Sequence, residues 1–261
     1  MKKLFKNLKK LCQSKAMNKK VIAFTLAETL IVMGIIGIVS ALTLPNLNSS
    51  TGEKEKVAKV KKIYSNLNDA VGRAIAVYGP VDEWIQGDTT ATAQVTRFGE
   101  RIAEFMKVSK NCGVTTSGTC FGSKFSNPFT GTSGSIDNVN TFYKFVLADG
   151  TPVAIQYETN YSSLNAVWFL FDIDGANKGR GALGEDLFSF HYDLSDLTLS
   201  ANGQNTPNIG LVGTGKGEDA TAWVINYDNM DYLKANTSNG KCKNSNVTLN
   251  ATANPPVTSC K

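Results

Sequence analysis

Histidine is almost missing from this chain: its 261 residues include one, His191. General acid–base catalysis and transition-metal centres draw on imidazole more than on any other side chain. A lone histidine with no nucleophile beside it in the sequence reads as a surface or interface residue. Serine is plentiful, but no G-x-S-x-G is present. The Gly213-Thr214-Gly215-Lys216-Gly217 run lacks the spacing of a phosphate loop. No constellation supports an enzyme. Cysteine is scarce, five in all, and the spacings contain no paired C-x-x-C element, which argues against zinc. Two further absences are regional. Residues 1–23 hold eight lysines and no acid, and from Thr29 to Gly52 there is no charged residue of either sign.

That second gap organises the chain. Phe24 to Leu47, FTLAETLIVMGIIGIVSALTLPNL, is apolar apart from Glu28. The uncharged run covers 24 residues, and a helix of that length reaches ~36 Å against a bilayer core of ~30 Å. A buried core helix seldom carries so long an uncharged run beside crowded lysines. A secretory signal peptide fits the basic start and the small residues Val39-Ser40-Ala41. However, the apolar run continues past them, and Glu28 stands where a signal peptide has hydrocarbon. A charge in a membrane segment costs ~3 kcal/mol at mid-helix, so Glu28 needs a partner. Cutting before Phe24 would supply one, an α-amine at i and i+4 spacing from the carboxylate.

The stretch Ala23-Phe24-Thr25-Leu26-Ala27-Glu28 resembles the processing site of type IV prepilins and type II secretion pseudopilins. The resemblance implies cleavage between Ala23 and Phe24 by a prepilin peptidase, N-methylation of Phe24, and Glu28 as the assembly residue. Gly37 and Pro45 match the family's glycine and helix-kinking proline, at the fourteenth and twenty-second positions counted from Phe24. The family prefers glycine before the cut, and this chain has Ala23. The likeness is specific over residues 19 to about 50 and architectural beyond. It implies as partners other pilin or pseudopilin subunits, an inner-membrane assembly platform and membrane lipid.

The formal charge of +5 belongs to the leader. After residue 23 the chain has 19 basic and 22 acidic residues, a net of −3, and gives no sign of nucleic-acid binding. Lysines ahead of the apolar run place the N-terminal side in the cytoplasm and the remainder outside the inner membrane. Met17 is an alternative start. In the exported part Cys112, Cys120, Cys242 and Cys260 form an even set, read as two disulfides with three possible connectivities. Pairing of sequence neighbours closes the shortest loops and is the expectation, at about 3 kcal/mol each in the chain-entropy model. Many type IV pilins have a C-terminal disulfide loop like the one Cys242–Cys260 would close.

The reading divides the chain into a leader (1–23), a transmembrane or filament-core helix (24–47), an amphipathic helix (48–80) and an extracytoplasmic globular domain (81–261). Pro45 and the polar patch to Gly52 predict a bend or local melting. Val57, Val60, Ile63, Tyr64, Leu67, Val71, Ala74, Ile75 and Tyr78 then recur at helical spacing, and Gly79-Pro80 ends the pattern. Residues 81–140 read as a surface-displayed insertion with few strands, including a short helix over 95–108. Phe142–Leu147 and Val153–Tyr157 flank Asp149-Gly150, a hairpin signal. Val167–Ile173 and Leu187–Tyr192 read as the third and fourth strands, and Ala222–Asn226 as a fifth. Asp228–Lys234 reads as a short helical turn. The fold expected is α+β, with the long N-terminal helix packed on an antiparallel sheet of four or five strands.

One loop, Asp172 to Asp186, gathers four carboxylates. Calcium takes such oxygen ligands, with Asp172, Asp174 and Asp186 as candidates. The EF-hand register fails after Asp174, and the alternative is a tight turn with Asx caps. Trp84, Trp168 and Trp223 read as core or surface residues and not as a sugar platform. Two functions remain open: a polymerising pilin-like subunit, or a membrane-anchored binding protein or adhesin that does not polymerise.

Overall fold

A computed structural model describes residues 25–116, 120–122, 136–161, 164–176, 178, 181–203, 220–236 and 239–261. The leader, Ala23, Phe24 and the 213–217 glycine run lie outside the described residues. The chain divides into two compact units, residues 1–49 and 50–261.

Helix α1 is assigned from Leu26 to Tyr78 and crosses that division. It is helical through Pro45 and through 46–52, so the local melting expected there does not occur. Proline removes one N–H from the ladder, and the helix continues past that loss. In the first unit Leu26, Leu30, Ile31, Val32, Met33, Ile35, Ile36, Ile38 and Val39 are all exposed. They occupy consecutive as well as i+4 positions, so apolar surface surrounds the helix. Among the residues whose side chains are described, which leave out 42–51, no helix is long and apolar enough to cross a membrane.

The second unit is α+β. From Val57 to Ala74 the apolar stripe of α1 is buried, with Val60, Leu67 and Ala74 fully so. It packs in one core with a six-stranded antiparallel sheet. The strands are β1 (Val108–Gly113), β2 (Phe142–Leu147), β3 (Pro152–Tyr161), β4 (Leu164–Asp172), β5 (Leu187–Asp193) and β6 (Thr198–Ala201). Each pairs with the next in chain order. Asp149-Gly150 turns the chain between β2 and β3. Gly150 there has φ 84°, a conformation glycine adopts without strain.

The four clearest predicted strands are β2 to β5. The two edge strands were not expected as such. β1 is polar and presents Ser109, Lys110 and Asn111 to solvent, and β6 has only four residues. The strand expected at Ala222–Asn226 is instead helix α3 (Ala220–Tyr227). Its residues Ala220 to Val224 are all buried, and an unbroken apolar run gives no period to separate helix from strand. Helix α2 (Ala91–Phe105) begins at Thr90, whose hydroxyl accepts from Ala93 N at 3.2 Å, the usual role of an N-cap threonine. The helical turn expected near the C-terminus is a 3-10 turn at Asp231–Lys234.

Register assigns the two faces of the sheet. Tyr143, Ile155, Phe169, Phe190 and Ala201 form a cross-strand row in the core shared with α1. Phe142, Gln156, Trp168, His191 and Ser200 form the neighbouring row, which alternation places on the opposite face. That second face is also covered: Cys112, Cys120, Phe121 and Ile136 pack on Phe142, Ala154, Leu170 and Leu187. The described parts of the 81–140 region are therefore helix, edge strand and a packed second layer, where a surface insertion was expected.

Candidate functional site at the amino end of the long helix

Thr25 and Glu28 close the start of α1 on each other. The Thr25 backbone N and hydroxyl both donate to Glu28 Oε2 at 2.8 Å, and Glu28 N donates to Thr25 Oγ1 at 3.2 Å. This reciprocal arrangement is a capping box, which satisfies helix-end donors that would otherwise lack partners. The carboxylate thus sits at the helix N-terminus, where the positive end of the peptide dipoles favours it. Thr25 was missed as a functional residue in the sequence. The signal was present as T-x-x-E directly before an apolar run.

The acidic loop is occupied by its own backbone. Asp172 Oδ1 accepts from Asp174 N at 3.1 Å and from Gly175 N at 3.2 Å. Asp186 accepts from Gly181 N at 3.0 Å and Ala182 N at 2.6 Å. Asp174 Oδ2 faces Lys56 Nζ at 3.1 Å, and the same ammonium donates to Glu185 O at 3.0 Å. Lys59 Nζ donates to the Ile173 carbonyl. The acids are Asx caps and a dock for the lysines of α1. Among the described residues no group of three or more His, Cys, Asp or Glu side chains is placed to hold a metal ion. Burial pushes the Asp172 carboxyl up to about 7; Asp186 and Asp174 add to this, against the pull of the two amides.

Both disulfides join sequence neighbours, Cys112 to Cys120 and Cys242 to Cys260. Each loop is organised by one buried acid. Asp137 accepts from the backbone N of Cys120, Phe121 and Gly122. Beside it the fully buried Lys144 donates to the carbonyls of Thr115, Ile136, Asp137 and Val139. Burial lowers the Lys144 pKa, and the Asp137 carboxylate opposes that shift. In the C-terminal loop Asp231 accepts from Cys260 N and Ser259 Oγ, each at 2.8 Å, and from Lys234 Nζ at 2.7 Å. Burial works against its charge, but these donors outweigh it and hold the carboxyl below its ordinary range. Lys234 also meets Glu53 Oε2 at 2.6 Å, tying the C-terminal loop to α1.

His191 is buried against the ring of Trp168, centroids 5.1 Å apart, and is not the surface residue expected. Trp84, Trp168 and Trp223 are all buried. A surface groove of about 330 Å³ is lined by Lys62, Asp69, Arg73, Phe105, Lys107 and Asp149, among others. The chain matches no protein-family model, no curated protein and no solved structure.

Proposed function

We propose that this chain is a pilin-like structural subunit. In this reading it is cut between Ala23 and Phe24, anchored once in the bacterial inner membrane, and assembled through its apolar helix into a type IV pilus or type II secretion pseudopilus. The carrying observation is a helix apolar on every side, exposed from Leu26 to Val39, ahead of a folded α+β domain. A helix of that kind is stable only when covered. Lipid covers it before assembly and neighbouring subunits afterwards, so its apolar surface stays out of water throughout. In sequence the uncharged run continues to Gly52, which gives it spanning length.

Glu28 supports the same reading. Its capping box fixes the carboxylate at the helix start, four positions along the chain from the residue whose α-amine cleavage before Phe24 would free. That amine, in the same subunit or a neighbour, would neutralise it in a medium of low dielectric. The disulfide-closed loops agree with an oxidising, extracytoplasmic location. The reading calls for no cofactor and no catalysis.

The test is the intact mass and N-terminal sequence of the protein extracted from membranes. A chain beginning at N-methylated Phe24 is expected. A retained lysine leader would point to a permanently anchored binding protein or adhesin, and a start after Ala41 to an ordinary exported protein; either result overturns the proposal.

A further inference from the structure

His191 is the chain's single histidine, and it lies beside the short edge strand of the sheet. On β5 it is paired in register with Trp168 of β4 on one side and Ser200 of β6 on the other. The residue is 6% exposed, and its Nδ1 is buried with no hydrogen-bond partner among the described residues. Strand β6 is held differently from the inner strands. Among the described residues it pairs on one side only, through four residues, and Thr198 is exposed while Leu199 and Ser200 are half-buried. The turn that delivers it contains Leu197 at φ 57°. That left-handed conformation is unfavourable for any residue with a side chain of this kind.

We propose that His191 is a proton-sensitive wedge, and that its protonation releases β6 from the sheet while β2 to β5 stay paired. A buried imidazolium needs a counter-ion or water. Among the described residues, the charged groups acting on it are Asp193, on its own strand, and Asp196, in the turn that follows. Trp168 and Ser200 are neutral, and α3, packed beside Ser189, carries no charged residue. Moving β4 would open the core, because Phe169 and Phe171 are buried against α1's side of the sheet. Moving β6 relaxes Leu197 and admits water to the ring. The direction in pH follows from burial, which lowers the His191 pKa, with the two aspartates opposing. The opened state takes the proton first, so closure is complete above about pH 6.5 and weakens as pH falls below it.

The test is hydrogen exchange by mass spectrometry on the full chain at pH 7.5 and pH 5, corrected for intrinsic rates. Amides of 198–201 should exchange about tenfold faster at pH 5, while those of β2 to β4 hold. His191→Gln should abolish the difference. Equal corrected protection at the two pH values in the wild type would overturn the proposal, as would the same acid loosening in H191Q. Should that variant not fold, the single imidazole NMR signal of the wild type decides: titration at the free-imidazole value overturns the wedge, and titration below it supports the wedge.

Discussion

The ring of Tyr143 occupies the space that a side chain on Gly99 would need: an ideal Cβ there would lie 2.0 Å from Tyr143 Cγ. Helix α2 therefore reaches strand β2 through a bare backbone position. Gly99→Ala should destabilise the domain by about 1–3 kcal/mol, because the ring must leave its place in the core. Thermal unfolding of the variant measures this; an unchanged midpoint would mean that α2 is not seated on β2.

Lys144 supports the second layer of the sheet. Lys144→Met keeps the side-chain length and removes the donor from four carbonyls and the neighbouring charge from Asp137. A loss of about 3–5 kcal/mol is expected. Exchange should rise first in the amides of Cys120, Phe121 and Gly122. Wild-type protection in those amides would show that the ammonium does not hold the loop.

Asp172 makes stability fall with rising pH. Its folded carboxyl titrates at about 7, against about 3.9 unfolded. The unfolded state thus gives up its proton first, and stability declines between roughly pH 4 and pH 7. After allowance for partial screening the span is on the order of 1–3 kcal/mol. Asp172→Asn keeps the oxygen that accepts from Asp174 N and Gly175 N, and should melt higher than the wild type at pH 8 and about equally at pH 4. A variant less stable at pH 8 would show that the charged form is needed.

Calcium should leave the melting point where it is. A site filled at about 100 times its dissociation constant would add about 2.7 kcal/mol, or several degrees for a domain of this size. A rise of that size with millimolar calcium, absent in Asp174→Asn, would mean that the acidic loop rearranges to bind the ion.

Assembly should depend on Glu28 and, more weakly, on Thr25. Glu28→Ala removes the carboxylate from the helix start and should abolish filament incorporation while leaving the folded domain intact. Thr25→Ala removes only the hydroxyl, an N-cap loss of about 1 kcal/mol, and should reduce incorporation in part. Normal filaments from Glu28→Ala would leave the anchored binding protein as the better reading.

The parts of this fold that could be read in advance were those with a period or a punctuation mark. Val57 to Ala74 recur at helical spacing, and Asp149-Gly150 announces its turn. Short-range cysteine pairing followed from loop length. The parts that could not be read are set by tertiary context. Lys144, in the strand FYKFVL, gives no hint that its ammonium is buried among four carbonyls. The edge strands β1 and β6 bury little, so their sequences carry almost no alternation. Ala222–Asn226 is almost wholly apolar, and whether such a run coils or extends is decided by what it packs on. At the amino end the reverse holds: T-x-x-E is legible in the sequence, and Glu28 is both a charge in an apolar run and half of a cap.

The contact between Lys234 and Glu53 joins residues 181 positions apart, and it has a consequence for the order of events in time. A chain synthesised from its amino end presents α1 first, with its buried stripe unmet. The strands follow one by one, each able to pair with the one before it. The segment with Lys234 and both cysteines of the terminal loop emerges late, and it returns to the place where the second unit begins. A subunit cut short before residue 231 could lay down its strands and still lack Asp231, Lys234 and the closing disulfide. The base of its helix would then stay unlatched, which separates finished chains from unfinished ones by a single contact.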